Sequence, residues 1–209
     1  MRAWVPLRVE RPGLDCEIHE HMAHPIGARS QLPQPGTRDV GEIFRRYGRD
    51  IERWASRLGG PLVDSDDVVQ DVFAVVHRRI GEIQVDAPLA GWLYKITQNI
   101  ATTRRRRERL RRWLQGSSSD YAEHMAAPGP SPIDEMERRE AALDVYSALD
   151  RLDEKYRSAV ILFEIEGLSG EEIAELTGRP VATVWIHLHR GREKFRRHYQ
   201  KLLAKRGQP

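Results

Sequence analysis

Residues 168–192 read LSGEEIAELTGRPVATVWIHLHRGR, and this stretch determines how the second half of the chain is interpreted. Ser169 and Glu172 have the spacing of a capping box, which predicts that a short helix begins there. Gly178 suits a tight turn because glycine adopts a left-handed backbone at low cost. Pro180 fits the first turn of a second helix, where its missing N–H is no loss. The stretch therefore predicts a helix-turn-helix, a motif that places its second helix in the major groove of duplex DNA.

The second helix of this motif has an inner and an outer side. Helical periodicity places Val181, Val184 and Leu188 inward. A helical hairpin inside a core is the alternative interpretation, but the complete turn chemistry favours DNA binding. The side chains left outward at the start of this helix are those of Ala182, Thr183, Trp185, Ile186, His187, His189 and Arg190.

Charge is distributed very unevenly along the chain. The 209 residues include 34 basic and 31 acidic side chains, for a net charge of only +3. Residues 104–112 (RRRRERLRR) nevertheless hold seven arginines, and residues 64–71 hold four aspartates and no base. This separation predicts two partners of opposite charge.

The remaining composition restricts the class of protein. A single cysteine excludes internal disulfides and fits a reducing, cytoplasmic location. No apolar run approaches the ~20 residues of a membrane span, and no secretory signal is evident, so we expect no membrane insertion.

Periodic and aperiodic stretches predict an all-α fold with two small helical domains joined by a flexible linker. We expect a poorly ordered extension at 1–39, a three-helix domain at 40–114 and a Ser-, Gly- and Pro-rich linker at 115–135. A four-helix domain follows at 136–203, with a short tail at 204–209. In the first domain we expect helices at 40–58 and 65–80, and a third that begins near Asp86 and Pro88.

The second predicted helix has one apolar and one acidic side. With 100° per residue, its apolar stripe is Val69, Val72, Phe73, Val76 and Ile80, and Asp64, Asp67, Gln70, Asp71 and Ala74 lie opposite. An acidic face of this kind suits a basic protein surface. A solvated helix face is the alternative.

The third predicted helix carries groups that bind nucleic acid. Trp92, Leu93 and Ile96 anchor it, whereas Lys95, Gln98 and Asn99 are expected to point outward, ahead of the arginine run. Arginine and lysine bind phosphates, and asparagine can pair with a base edge. The preceding loop, 83–88, could hold an unstacked base. The alternative is a solvated helix end, but so many arginines would repel one another without a polyanion nearby.

Three segments together resemble one known family. They are DSDDVVQDVF at 64–73, DAPLAGWLYKITQNIA at 86–101 with its arginine run, and the long segment 152–184. In this order they are similar to the group 4, or extracytoplasmic function (ECF), sigma factors of bacterial RNA polymerase, over about 42–197. The resemblance implies that the first domain (region 2) binds the polymerase β′ clamp helices and opens the −10 element. The second domain (region 4) would read the −35 element and pack on the β flap.

The resemblance also assigns candidate contacts and a further partner. It implies an anti-sigma factor that masks both domains. The predicted polymerase contacts are Asp67, Gln70 and Asp71. The predicted −10 contacts are Trp92, Lys95, Asn99, Arg104, Arg105, Arg106 and Arg107. The predicted −35 contacts are Thr183, Trp185, Ile186, His187, His189, Arg190 and Arg192.

The chain departs from the family pattern on the −35 helix. Trp185, Ile186 and His187 stand where a basic residue, a Ser or Thr and an Arg are common. Trp and Ile can contact thymine methyl groups but cannot bind phosphates. We therefore expect an unusual −35 preference with a weaker salt dependence, or an apolar partner on this helix. Gln98 and Thr103 replace a common Arg and Asp, which leaves the −10 preference open.

Other functions have less support. A stand-alone helix-turn-helix regulator, acting as a dimer on a palindromic site, would leave the aspartates and the first domain unexplained. No motif for catalysis or for a cofactor is present, so we expect no enzyme activity. Cys16, His19, His21 and His24 could ligate zinc, but their spacing matches no known pattern, and we expect no metal.

Overall fold

The computed structural model describes residues 39–82, 89–114 and 132–206. Within these ranges it contains seven α-helices and no strand. The all-α class and the division into two helical domains are confirmed. The loop at 83–88 and the Cys16–His24 cluster lie outside the described residues.

The first domain consists of α1 (Val40–Gly59), α2 (Ser65–Arg79), a short 3-10 turn (Ile80–Glu82) and α3 (Leu89–Leu114). Aspartates cap the first two helices: the Asp39 side chain accepts from the Gly41 N–H, and that of Asp64 from the N–H groups of Asp66 and Asp67. Asp64 therefore caps α2, because an N-cap carboxylate binds the unpaired N–H groups of the first turn.

The three helices pack around one apolar core. Trp54 of α1 and Tyr94 of α3 meet edge to face, with ring centroids 5.4 Å apart. The fully buried residues of α2 are Val68, Val72 and Val76, whereas Val69 and Phe73 are only partly buried. The predicted stripe is therefore displaced towards Val68, because α2 packs against both α1 and α3.

The second domain consists of α4 (Pro132–Leu149), α5 (Glu154–Val160), a π-helical turn (Ile161–Ile165), α6 (Gly170–Thr177) and α7 (Val181–Arg206). Two bounds differ from the sequence expectation. α4 begins inside the segment assigned to the linker, since proline is favoured in a first helical turn. α7 continues three residues into the expected tail.

The helix-turn-helix has the predicted turn chemistry. Ser169 and Glu172 form both hydrogen bonds of the capping box. Gly178 ends α6 in the left-handed conformation, with φ of 66°. Val184 and Leu188 are buried on the inner side of α7. Val181, the first residue of this helix, is exposed and does not point inward as predicted. The motif thus presents the outer side of α7 to solvent.

The two domains pack directly against each other. α3 contacts α6, and α1 contacts the π-helical turn. A Cβ atom at Gly91 would lie 3.1 Å from the Leu176 carbonyl oxygen, and one at Gly60 only 2.6 Å from the Tyr146 ring. Glycine therefore permits close approach of the domains at both positions.

Candidate nucleic-acid interface

The outer face of α7 is only partly polar. Trp185 and Ile186 are 42% and 51% exposed, and His189 and Arg190 are exposed beside them. Thr183, His187 and Arg192 are only partly exposed. Four of the seven predicted −35 side chains are thus exposed, and two of those four are apolar.

Trp185 lies in a fixed position against α6. A Cβ atom built on Gly170 would lie 2.7 Å from Cζ2 of the Trp185 ring, closer than real side chains approach. The ring also meets Phe163 edge to face, with centroids 5.6 Å apart. The indole therefore fills the space above Gly170 and offers its remaining surface to a ligand.

Two predicted −35 groups turn towards the protein. The Arg192 guanidinium donates to Glu164 and stacks over Phe163, 4.9 Å from the ring centroid. His187 lies edge to face with Tyr156, with its Nδ1 atom 3.2 Å from a guanidinium nitrogen of Arg179. Burial, and then the positive charge of Arg179, lower the pKa of His187. The lowered pKa favours the neutral imidazole over its charged form.

The middle of α3 presents polar side chains to solvent. Lys95 and Asn99 are exposed, and Trp92 is half-buried. Gln98 is only 6% exposed, so the expectation that it points outward is wrong. Gln98 is covered because it lies in the cleft between α3 and the second domain. Arg179 of the second domain lines the same cleft.

This cleft between the domains is polar and has a volume of about 870 Å³. Lys95, Asn99 and Arg106 line its α3 side, and Asp153 and Glu154 line the other. Basic groups predicted to bind DNA thus face carboxylates of the second domain.

Arg104 does not extend freely into solvent. Its Nη1 atom donates to Asp67 at 2.7 Å, and its Nη2 and Nε atoms donate to one carboxylate oxygen of Asp71 at 2.7 and 2.9 Å. Hydrogen bonding to Asp71 is the main reason that the pKa of Arg104 is raised. A predicted −10 group is therefore paired with two predicted polymerase contacts.

Arg105 is buried where the two domains meet. It donates to the Leu58 carbonyl of α1 at 2.9 Å and to Glu154 of α5 at 2.6 Å. Arg157 of α5 donates to the same Leu58 carbonyl at 2.7 Å. Asp150 lies within 3.4 Å of both guanidinium groups. One backbone oxygen and two carboxylates thus hold an arginine from each domain.

This cluster is electrostatically costly. Burial, and then repulsion from Arg105, lower the pKa of Arg157 to about 10. Its Nη2 atom is buried without a hydrogen-bond partner among the described residues. Buried ion pairs regain only part of the desolvation energy of their charges, so this contact adds little net stability to the packed arrangement.

A second ion-pair cluster joins α1 to the π-helical turn. The Glu166 side chain is 3% exposed and accepts from Arg53 at 2.5 Å, with Arg57 at 3.4 Å. Sequence reasoning missed Arg157 and Glu166. Arg157 in the apolar stretch YRSAVILF was a usable signal, because an arginine at a buried helical position needs a partner.

The predicted polymerase contacts occupy the outer side of α2. Asp67 and Gln70 are exposed, and Asp71 is partly exposed. Beside them, an apolar groove of about 380 Å³ is lined by residues of α1 and α2, including Phe44, which is 55% exposed, and Phe73. The groove is lined by Gln70 on a helix that also exposes Asp67, and such an apolar groove is suited to an amphipathic protein surface.

The described ranges hold neither a metal site nor a membrane span. No three His, Cys, Asp or Glu side chains in them converge as a metal site. None of their helices is long and apolar enough to cross a membrane.

Comparisons with known proteins agree with the two-domain organisation. Residues 43–111 match the family model "Sigma-70 region 2", and residues 142–195 match "Sigma-70, region 4". The ECF RNA polymerase sigma factor SigE of Mycolicibacterium smegmatis is 35% identical over 77% of this chain and 61% of its own length. The RNA polymerase sigma factor CnrH of Cupriavidus metallidurans is 30% identical over 79% of this chain and 89% of its own.

A solved structure shares the fold. The sigma factor RpoE of Bartonella quintana, in complex with the anti-sigma factor NepR, has a TM-score of 0.51 and 21% identity, covering 78% of this chain and 98% of that one. The family matches and the relatives define the class: the chain belongs to the ECF group of the sigma-70 family. It is an alternative sigma factor.

Proposed function

We propose that this sigma factor divides promoter recognition between α7, which reads duplex −35 DNA, and α3, which captures the opened −10 strand. The −35 contacts lie on α7 between Thr183 and Arg192, centred on the exposed Trp185, Ile186, His189 and Arg190. The −10 contacts lie on α3 from Trp92 to Arg107. Asp67, Gln70 and Asp71 bind the β′ clamp helices of core RNA polymerase, and the second domain packs on the β flap. The protein acts in the cytoplasm, and catalysis belongs to the polymerase.

One observation carries this proposal: a complete helix-turn-helix and a separate acidic, groove-bearing helix occur in the same chain. The exposed side of α7 has the position of a recognition helix. The carboxylates of α2 lie in the other domain and suit a basic protein surface. A stand-alone DNA-binding regulator would need no such second surface.

The packed arrangement of the domains also supports the proposal that promoter binding depends on polymerase. Arg105 is 5% exposed, so the run 104–107 cannot present all its arginines while the second domain covers α3. Each of the two DNA sites is modest, and the tether between them raises the overall affinity only when their spacing matches that of the promoter elements. Polymerase would separate the domains and set that spacing, so the free chain binds promoters poorly.

An anti-sigma factor is the expected regulator. The Bartonella quintana neighbour is seen with its anti-sigma factor. A protein that keeps the two domains packed together would mask the −10 surface, because the second domain then covers α3 and buries Arg105.

Run-off transcription with core polymerase on a library of genomic fragments tests the proposal. We expect discrete transcripts only when the chain is added, and their loss with Asp67→Asn/Asp71→Asn. The matched control is Asp66→Asn, an exposed aspartate in the same helical turn. Failure of the chain to bind core polymerase, together with binding as a dimer to palindromic DNA, would favour the stand-alone regulator.

A further inference from the structure

We propose that Arg104 is a coupling residue: it occupies the polymerase-binding aspartates in the free protein and becomes a DNA phosphate ligand when polymerase displaces it. The inference rests on the proposed function, which assigns Asp67 and Asp71 to polymerase and the arginine run to the −10 strand. It adds a connection between these two surfaces.

The geometry places one guanidinium between two carboxylates. Asp67 and Asp71 are one helical turn apart on α2, and Arg104 of α3 donates three hydrogen bonds to them, each between 2.7 and 2.9 Å. Three of the five N–H donors of Arg104 are thereby directed at α2. While these bonds persist, the two carboxylates offset its positive charge and compete with a phosphate for it.

The bridge is accessible to a competitor. The Arg104 side chain is 32% exposed, and those of Asp67 and Asp71 are 54% and 49% exposed. Solvent-exposed ion pairs contribute little net stability and exchange partners readily. A lysine or arginine of a polymerase surface can therefore take the same carboxylate oxygens without unfolding α2.

The bridge is not needed to hold the two helices together. α2 and α3 already pack in the apolar core, where Val72, Val76 and Leu93 are fully buried. Release of Arg104 therefore leaves the domain folded. The freed guanidinium then joins the exposed Arg106 and Arg107 on the helix that meets the −10 strand.

Displacement of this kind links two binding events. If polymerase binding releases a DNA ligand, then DNA binding must favour polymerase binding by the same factor. The expected size is modest, because one exposed arginine–carboxylate bridge corresponds to about a threefold change in affinity.

The first arm of the test measures affinity for core polymerase by fluorescence anisotropy of the full chain labelled at Cys16. We expect Arg104→Gln to bind about threefold more tightly, because its aspartates are already free. Arg79→Gln, which removes the same charge at an exposed position of α2, should bind like the wild type. In the Asp67→Asn/Asp71→Asn background, Arg104→Gln should have no effect. A gain in affinity cannot result from misfolding, and Arg104→Lys should give an intermediate value.

The outcomes of this arm separate the two proposals. If Asp67→Asn/Asp71→Asn binds core polymerase like the wild type, the assigned polymerase contact is wrong. If that double variant binds weakly but Arg104→Gln leaves affinity unchanged or reduces it, the contact stands and the coupling is overturned.

The second arm measures the salt dependence of binding to single-stranded −10 DNA. In the free chain, Arg107→Gln should reduce the log–log slope by about 0.7, whereas Arg104→Gln should leave it unchanged. In the holoenzyme, both substitutions should reduce it. An equal reduction by Arg104→Gln in the free chain would show that Arg104 contacts DNA without polymerase, and would contradict the proposal.

Discussion

The two helices proposed to contact DNA, α3 and α7, are both 26 residues long but differ in what they offer. On α3, Arg104 and Arg105 are bound to carboxylates of the protein itself. On α7, Trp185 and Ile186 are exposed and need no release. The proposed −10 surface is therefore partly occupied by carboxylates of the protein itself, whereas the proposed −35 surface is exposed but weakly charged.

The largest expected effect concerns the proposed −10 surface. Arg105→Ala should favour separation of the domains by about 3 kcal/mol, because Glu154 and Asp150 lose a buried partner and regain hydration only in the open form. Electron–electron distances between spin labels on α2 and α7 should lengthen and broaden. Arg107→Ala, at an exposed position of α3 that does not line the cleft between the domains, should leave them unchanged. Identical distances in Arg105→Ala would show that this cluster does not hold the domains together.

The apolar character of α7 can be reversed at one residue. Trp185→Lys should steepen the salt dependence of −35 duplex binding by about 0.9 in the log–log slope, since a lysine there adds one phosphate contact. Gln200→Lys, exposed and four turns further along α7, serves as the control. If affinity and slope both stay as in the wild type, Trp185 does not face DNA.

The position of the Trp185 ring should depend on Gly170. Gly170→Ala places a methyl group 2.7 Å from Cζ2, so the ring must move. We expect the preferred −35 sequence to change, with a loss of about fivefold in affinity for the wild-type site, equivalent to about 1 kcal/mol. Selection from a randomised duplex pool measures both. The smaller ring of Trp185→Phe should restore the preferred −35 sequence in the double variant. If Gly170→Ala leaves the preferred sequence unaltered, the Trp185 ring does not take part in reading the −35 element.

The smallest effect is a dependence of stability on pH. The pKa of His187 is lowered by burial and by Arg179, so the unfolded chain binds a proton more readily than the folded one. The contribution of His187 to stability is therefore complete above its unfolded pKa of about 6.5 and is lost as the pH falls through the lower folded pKa. The midpoint of thermal unfolding should fall less between pH 7 and 5.5 in His187→Gln than in the wild type or in His189→Gln. Equal pH profiles would contradict this assignment.

Local sequence signals predicted the helices well. The cap at Ser169 and the turn at Gly178 act on neighbouring backbone groups, so their effect can be deduced from a few residues. The buried stripe of α2 was displaced by one residue because its partners α1 and α3 determine the inner side. Tertiary packing, rather than periodicity, decides such details.

The partners of the charged residues could not be deduced in the same way. The chain has 34 basic and 31 acidic side chains, and no local rule selects the pairs Arg104–Asp71 or Arg53–Glu166 among them. The arginine run was therefore interpreted as uniformly available to DNA. The structure shows that Arg104 is paired with carboxylates of the first domain, and Arg105 with carboxylates of the second.

The most direct test of this difference is a footprint of one promoter with the free chain and with the holoenzyme. A promoter recovered by run-off transcription would be probed with hydroxyl radicals for the −35 element and with permanganate for unpaired thymines at −10. The free chain should protect at most the −35 element, and the holoenzyme should protect −35 and expose reactive thymines at −10. Protection of the −10 element by the free chain, as strong as that by the holoenzyme, would contradict a −10 surface that depends on polymerase.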